Sequence, residues 1–123
     1  MEIIINASSM IPLYEQIVEA IKKQIVSGRL KENDALPSVR TLAKELKISA
    51  LTVKKAYDAL EEEGLTATVH GKGTYVKAPN AEKLREEQRR ELETALEGVV
   101  SRARLYGVDA SELRAILDIL LEE

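Results

Sequence analysis

The stretch from Ser38 to Val76, "SVRTLAKELKISALTVKKAYDALEEEGLTATVHGKGTYV", leaves this chain few folds to choose from. Val39, Leu42, Ala43 and Leu46 recur at i, i+3, i+4, i+7, and so do Val53, Ala56, Tyr57 and Leu60. That spacing puts each set on one face of a helix. Ser38 and Ser49 stand where N-caps belong, each with a hydroxyl able to accept from an orphan backbone N–H. Only Leu46 to Ile48 separate the first helix from the second cap, and a gap that short forces a sharp helix–turn–helix corner. Beyond Gly64 the period falls from 3.6 to 2: "LTATV" alternates, "HGKG" offers Gly71 and Gly73 for a tight turn, and "TYV" resumes β-prone residues. The pattern therefore predicts two helices meeting at a corner, followed directly by a two-stranded wing.

A helix is also predicted ahead of the corner. It starts at Pro12, tolerated in a first turn because no donor is needed there. Tyr14, Ile17, Val18, Ile21 and Ile25 form its buried stripe, and Gly28 stops it. Glu2 to Asn6 include three consecutive isoleucines, enough for a strand or an extended arm. "RLKENDALP" reads as a turn with a short extended piece at Ala35 and Leu36. Pro79 and Asn80 mark a boundary between a domain at 1–78 and a tail at 79–123. In the tail a charged helix is expected from Ala81 to Arg104, with Leu84, Leu92, Leu96, Val99, Val100 and Ala103 roughly along one side and Gly107 ending it. Asp109 and Glu112 have the spacing of a capping box, with Val108 and Leu113 as its staple. The last helix is expected to bury Leu113, Ile116, Leu117, Leu120 and Leu121. So apolar a face needs either the first domain or a second chain to cover it.

Charge is informative only once it is divided. The whole chain carries a net charge of −3, which looks wrong for a nucleic-acid partner. Yet residues 1–80 hold 11 basic against 10 acidic side chains, while residues 81–123 hold 7 against 11. Between Ser38 and Lys55 stand Arg40, Lys44, Lys47, Lys54 and Lys55 against the single acid Glu45. Local excess is what an anionic partner meets, because salt screens the field within about 10 Å. The second corner helix also runs against its own dipole, with Lys54 and Lys55 early and Glu61, Glu62 and Glu63 late. That order costs roughly 0.3–1 kcal/mol per charge. A recognition helix explains it: its first half faces phosphate and bases in the major groove, and its acidic end lies beyond the groove in solvent. The bland reading of the two lysines is a solvated face, which the wing and corner make the weaker one.

Four blocks, "PLYEQIVEAIKKQIVSGRL", "LPSVRTLAKEL", "TVKKAYDALEEEGL" and "HGKGTYV", in this order and spacing, resemble the winged helix–turn–helix domain of GntR-family bacterial transcription regulators over residues 10–78. The tail is similar to that of the short YtrA-type subfamily, which dimerises through its tail helices and has no separate effector domain. The resemblance implies a mainly α fold with a small β wing, a winged helix–turn–helix followed by a two-helix C-terminal dimerisation tail. It implies a homodimer joined through Leu92, Leu96, Val99, Val100, Leu113, Ile116, Leu117, Leu120 and Leu121, acting in the bacterial cytoplasm and on the nucleoid when bound. Double-stranded operator DNA is the implied partner, and repression the common role. Carried over by position, Arg40 matches an arginine expected on phosphate or guanine. Ser38 and Ser49 match caps whose neighbourhood touches phosphates, and Thr52 and Lys54 match recognition-helix contacts. His70, Gly71, Lys72 and Gly73 match the wing tip at the minor groove, and Tyr57 matches a core aromatic.

Two places depart from the family pattern. Ala50 and Leu51 are apolar where relatives often carry polar residues, so neither makes a bidentate base contact; contact with a thymine methyl stays open. Lys47 stands where relatives usually have Gly. In a left-handed conformation it costs roughly 1–2 kcal/mol, with an extra phosphate contact or simple drift as its explanation.

Other function classes find little support. The chain has no cysteine, which removes disulfides and thiolate sites and fits a reducing cytoplasm. His70 is the only histidine, so a zinc site or a triad lacks partners; a turn residue that tolerates unusual backbone angles is its plain reading. No GxxxxGK[ST] loop is present, and no cofactor is expected. Apolar runs are too short to span a membrane, and Met1 to Ile11 lack the basic start and apolar stretch of a signal peptide. A small-molecule effector would have to bind between the tail helices or at the domain junction, where no polar cluster stands out. The rival class is a protein-interaction module that keeps the winged fold without reading DNA, and Ala50 and Leu51 are the residues that favour it.

Overall fold

A computed structural model of the 123-residue chain describes residues 1–77 and 81–122; the expected boundary residues Pro79 and Asn80 lie outside them. The elements in chain order are α1 (Leu13–Val26), α2 (Val39–Leu46), α3 (Ala50–Glu62), β1 (Thr66–Val69), β2 (Gly73–Val76), α4 (Ala81–Leu105) and α5 (Ala110–Leu121). Contacts divide the chain into two compact units, Met1–Leu84 and Arg85–Glu123. Among the described residues, no helix is long and apolar enough to cross a membrane.

The first unit is built around α3, which packs against α1, α2 and β1. The stripes read from the sequence are the faces that meet. Ile17 and Ile21 of α1, Leu42 of α2, and Val53, Ala56 and Leu60 of α3 are all but completely withdrawn from solvent. Each large one contributes about 1.5–3 kcal/mol by its burial. Leu84 also joins this core, so the start of α4 belongs with the first unit and not with the apolar side of the tail. Tyr57 of α3 is buried, and its hydroxyl donates to the Pro37 carbonyl just ahead of α2 at 2.7 Å. Burial, and secondarily the Glu45 carboxylate, push its phenol far above the ordinary tyrosine range, so it stays neutral.

The wing is antiparallel, with Thr66 opposite Val76, Ala67 opposite Tyr75, Thr68 opposite Thr74 and Val69 opposite Gly73. The extended piece expected at Ala35 and Leu36 lies against the free side of β2. Ala35 bridges Tyr75, the Leu36 N–H donates to Thr74 O at 2.9 Å, and Asp34 O accepts from the Val76 N–H at 2.8 Å. The hairpin is thus tied to the chain just ahead of α2. Residues Glu2 to Asn6 form the extended arm and not a strand. Ile3 and Ile5 pack against the core, while Ile4 faces outward as alternation requires. Gln16 clamps the arm's end, accepting from the Asn6 N–H at 2.7 Å and donating to its carbonyl at 3.0 Å.

In the second unit, Gly107 at φ +74 turns the chain after α4, with the Val108 N–H bonded back to Ala103 O at 2.8 Å. Asp109 caps α5 by accepting from the Glu112 N–H at 2.9 Å. Val108 and Leu113 line one small apolar hollow with Val99, Ala103 and Ile116. The expected burial of the last helix does not occur within the chain. No residue of α5 is buried, and Ile116, Leu117, Ile119, Leu120 and Leu121 remain 42–74% exposed. Leu92, Leu96 and Val99 of α4 are exposed as well, and Val100 half-buried. Beyond the turn that joins them α4 and α5 scarcely pack together, so neither helix covers the apolar side of the other.

Candidate nucleic-acid interface

The corner between α2 and α3 is set by two equal caps and one strained residue. The Ser38 hydroxyl accepts from the Thr41 N–H at 3.1 Å and donates to Thr41 Oγ1 at 2.8 Å. Ser49 repeats the device with Thr52, at 3.1 Å from the N–H and 2.7 Å between the hydroxyls. Between them Lys47 takes the left-handed conformation, φ 56 and ψ 46, so that the Ile48 N–H reaches Ala43 O at 3.0 Å. The same backbone pattern closes α3 and α4 with Gly64 and Gly107, the residue type that adopts it without strain. Lys47 thus does what the sequence only allowed.

The starts of α2 and α3 differ from the other helix starts in charge. Glu15, Glu82 and Glu112 occupy the first turns of α1, α4 and α5, whereas α2 and α3 have no acid there. Their positive dipole ends are left for an outside anion. Arg40 in the first turn of α2, Lys44 in its last turn and Lys47 at the corner are exposed and pair with no carboxylate among the described residues. The other two cations are already engaged. Lys54 donates to Asp58 at 2.8 Å, a bond that raises its pKa and keeps it cationic. Lys55 lies over the Tyr14 ring of α1, 4.1 Å from its centroid. Exposed pairs of this kind are worth only about 0–1 kcal/mol, so a phosphate can displace either partner.

The acidic end of α3 does not simply face solvent, as expected. Glu61 accepts from the Thr68 N–H of the wing at 3.1 Å, and Glu63 accepts from Lys22 of α1 at 2.9 Å, where the lysine side chain is only 12% exposed. These acids oppose the helix dipole but tether α3 to the wing and to α1. At the wing tip, Lys72 N–H donates to Val69 O at 2.9 Å, and Gly71 and Gly73 take φ values of +77 and +122 that the three-residue turn requires. Tyr75 donates to the Lys72 carbonyl at 3.0 Å and braces the tip, leaving His70 and Lys72 exposed.

The expected contact residues therefore sit in three places of one unit: Ser38 and Arg40 at the start of α2; Lys47 to Lys55 at the corner and first turns of α3; and His70 to Gly73 at the tip. Ala50 and Leu51 are exposed, while the Thr52 hydroxyl is turned to its cap. Sequence reading missed Asp58 and Tyr75, and it named Tyr14, Glu61 and Glu63 without the partners they hold. The i,i+4 spacing of Lys54 and Asp58 was a usable signal; the others depend on which elements meet. Among the described residues no three His, Cys, Asp or Glu side chains gather as a metal would need.

The family model for bacterial regulatory proteins of the gntR family matches residues 13–76, from α1 through β2. The HTH-type transcriptional repressor YtrA of Bacillus subtilis (strain 168) is 36% identical over 109 residues, covering 89% of this chain and 84% of that protein. Among solved structures, YtrA from Sulfolobus acidocaldarius, a GntR-family transcription factor, superposes with a TM-score of 0.62 at 39% identity, over 77% of this chain and 97% of that one. AraR(DBD) in complex with operator ORX1 superposes with a TM-score of 0.55 at 29% identity, over 62% of this chain and 95% of that one. The matched span holds both capped corner helices, the unpaired cations and the wing. The chain belongs to the gntR family of bacterial regulatory proteins, as a DNA-binding regulator of transcription with a winged helix–turn–helix.

Proposed function

We propose that the chain acts as a homodimeric repressor that binds an inverted-repeat operator in the cytoplasm. The first turn of α3 enters the major groove, Thr52 and Lys54 lie toward base edges, and Arg40 contacts phosphate or guanine. The cap regions of Ser38 and Ser49, with Lys47 and Lys55, follow the phosphates, and His70 to Gly73 reach the minor groove. The observation that carries this reading is the pair of acid-free helix starts, with the unpaired cations Arg40, Lys44 and Lys47 exposed along α2 and at the corner. Two copies joined through the exposed apolar faces of α4 and α5 would offer recognition helices to grooves one helical turn apart, roughly 34–36 Å. B. subtilis YtrA, which is named a repressor, is the support for repression.

Arg40→Ala tests the contact set. Arg40 is exposed and outside the core, so the variant should fold normally and lose specific footprinting on an operator that protects the unmodified chain. An unchanged footprint removes Arg40 from the interface.

A further inference from the structure

Leu51 is the one large apolar side chain of α1, α2 and α3 that stands exposed among the described residues, with 78% of its surface open to solvent. It occupies the first turn of α3, the turn whose side chains reach base edges when such a helix enters the major groove. Ala50 beside it is exposed too. Thr52 on its other side is half-buried and has its hydroxyl held by Ser49 at 2.7 Å. Ala50 and Leu51 therefore present apolar surface, and none of the three residues brings a free side-chain N–H donor to a guanine or adenine edge. Lys47 before this patch and Lys54 after it are cationic and exposed. The fitting partner is anionic at its margins and apolar at its centre. The major groove is such a surface wherever a thymine lies between the phosphate rows, because the 5-methyl group is the only apolar mark a base shows there.

We propose that Leu51, flanked by Ala50, reads the 5-methyl group of a thymine, so that each operator half-site holds an A·T pair beneath the first turn of α3. The proposal rests on the DNA-binding reading given above. Withdrawing one methyl group from water is worth about fourfold in affinity. The effect is small enough to leave binding intact and large enough to measure.

The test uses the full chain and a duplex recovered by selection from random sequence. Its thymines are replaced one at a time by deoxyuridine, which lacks only the methyl group. One thymine in each half-site should weaken binding about fourfold when replaced. Leu51→Ala should bind the thymine and deoxyuridine duplexes alike while keeping the salt dependence of the parent chain. Leu51→Arg, selected afresh, should exchange that A·T pair for G·C, since arginine pairs with the guanine O6 and N7 edge. Equal binding of thymine and deoxyuridine at every position overturns the proposal, as does a Leu51→Ala variant that still distinguishes them. Failure of the folded chain to bind any duplex overturns the DNA-binding reading itself and this proposal with it. Loss of discrimination alone leaves that reading standing.

Discussion

At the scale of single residues, two side chains sit at a measurable cost. Lys47 holds a left-handed backbone that costs a non-glycine residue about 1–2 kcal/mol. Lys47→Gly relieves that strain but gives the unfolded chain more freedom, which takes back about 0.5–1 kcal/mol. The net expectation is a gain of about 0.5–1 kcal/mol in urea unfolding, together with weaker DNA binding and a salt slope shallower by about one phosphate contact. A gain in stability with unchanged binding would mean that Lys47 touches no phosphate. Thr66 is the second case. It is buried at the start of β1, and its Oγ1 has no partner among the described residues. Thr66→Val keeps the β-branched shape and removes the stranded hydroxyl, so stability should rise by about 1 kcal/mol. A fall on chemical denaturation would show that the hydroxyl is satisfied after all.

At the scale of elements, α1, α2 and α3 were legible because the stripe of each is centred on buried residues, and α4 and α5 were legible from the same spacing although their stripes stay largely exposed. The caps at Ser38, Ser49 and Asp109 were legible for the same local reason, since an N-cap needs only its own next three residues. What connects elements was not legible. Nothing in "RLKENDALP" says that Ala35 pairs with Tyr75, and nothing in "EEE" says that one acid serves the wing and another α1. Those bonds depend on which faces meet, and periodicity does not carry that information. The Glu61 tether yields a test. The lost bond to the Thr68 N–H and the relieved clash with the α3 dipole, about 0.3–1 kcal/mol, act in opposite directions. Glu61→Ala should therefore leave global stability within about 1 kcal/mol, yet speed amide exchange at Thr68 and loosen the wing tip. Unchanged protection at Thr68 would show that the ladder to β2 holds the wing without help.

At the scale of the whole molecule, the sequence named exposed cations without showing what they pair with. Lys54 and Lys55 were expected on the DNA face; both are exposed, but one is paired with Asp58 and the other rests on Tyr14. The dimer reading comes from the tail, where Leu117 and Leu120 lie exposed on a helix with no buried residue. Leu117→Asp with Leu120→Asp places charge in that face and should give a monomer by sedimentation, with the winged unit still folded. A persistent dimer would put the interface elsewhere. The most direct test of the DNA-reading dimer is selection from random duplex DNA with the purified chain, run at low and at moderate salt. The expected product is an inverted repeat with half-sites centred about one helical turn apart, bound with an affinity that falls steeply as salt rises. Salt-insensitive binding, or a selection that yields no repeat, would contradict it.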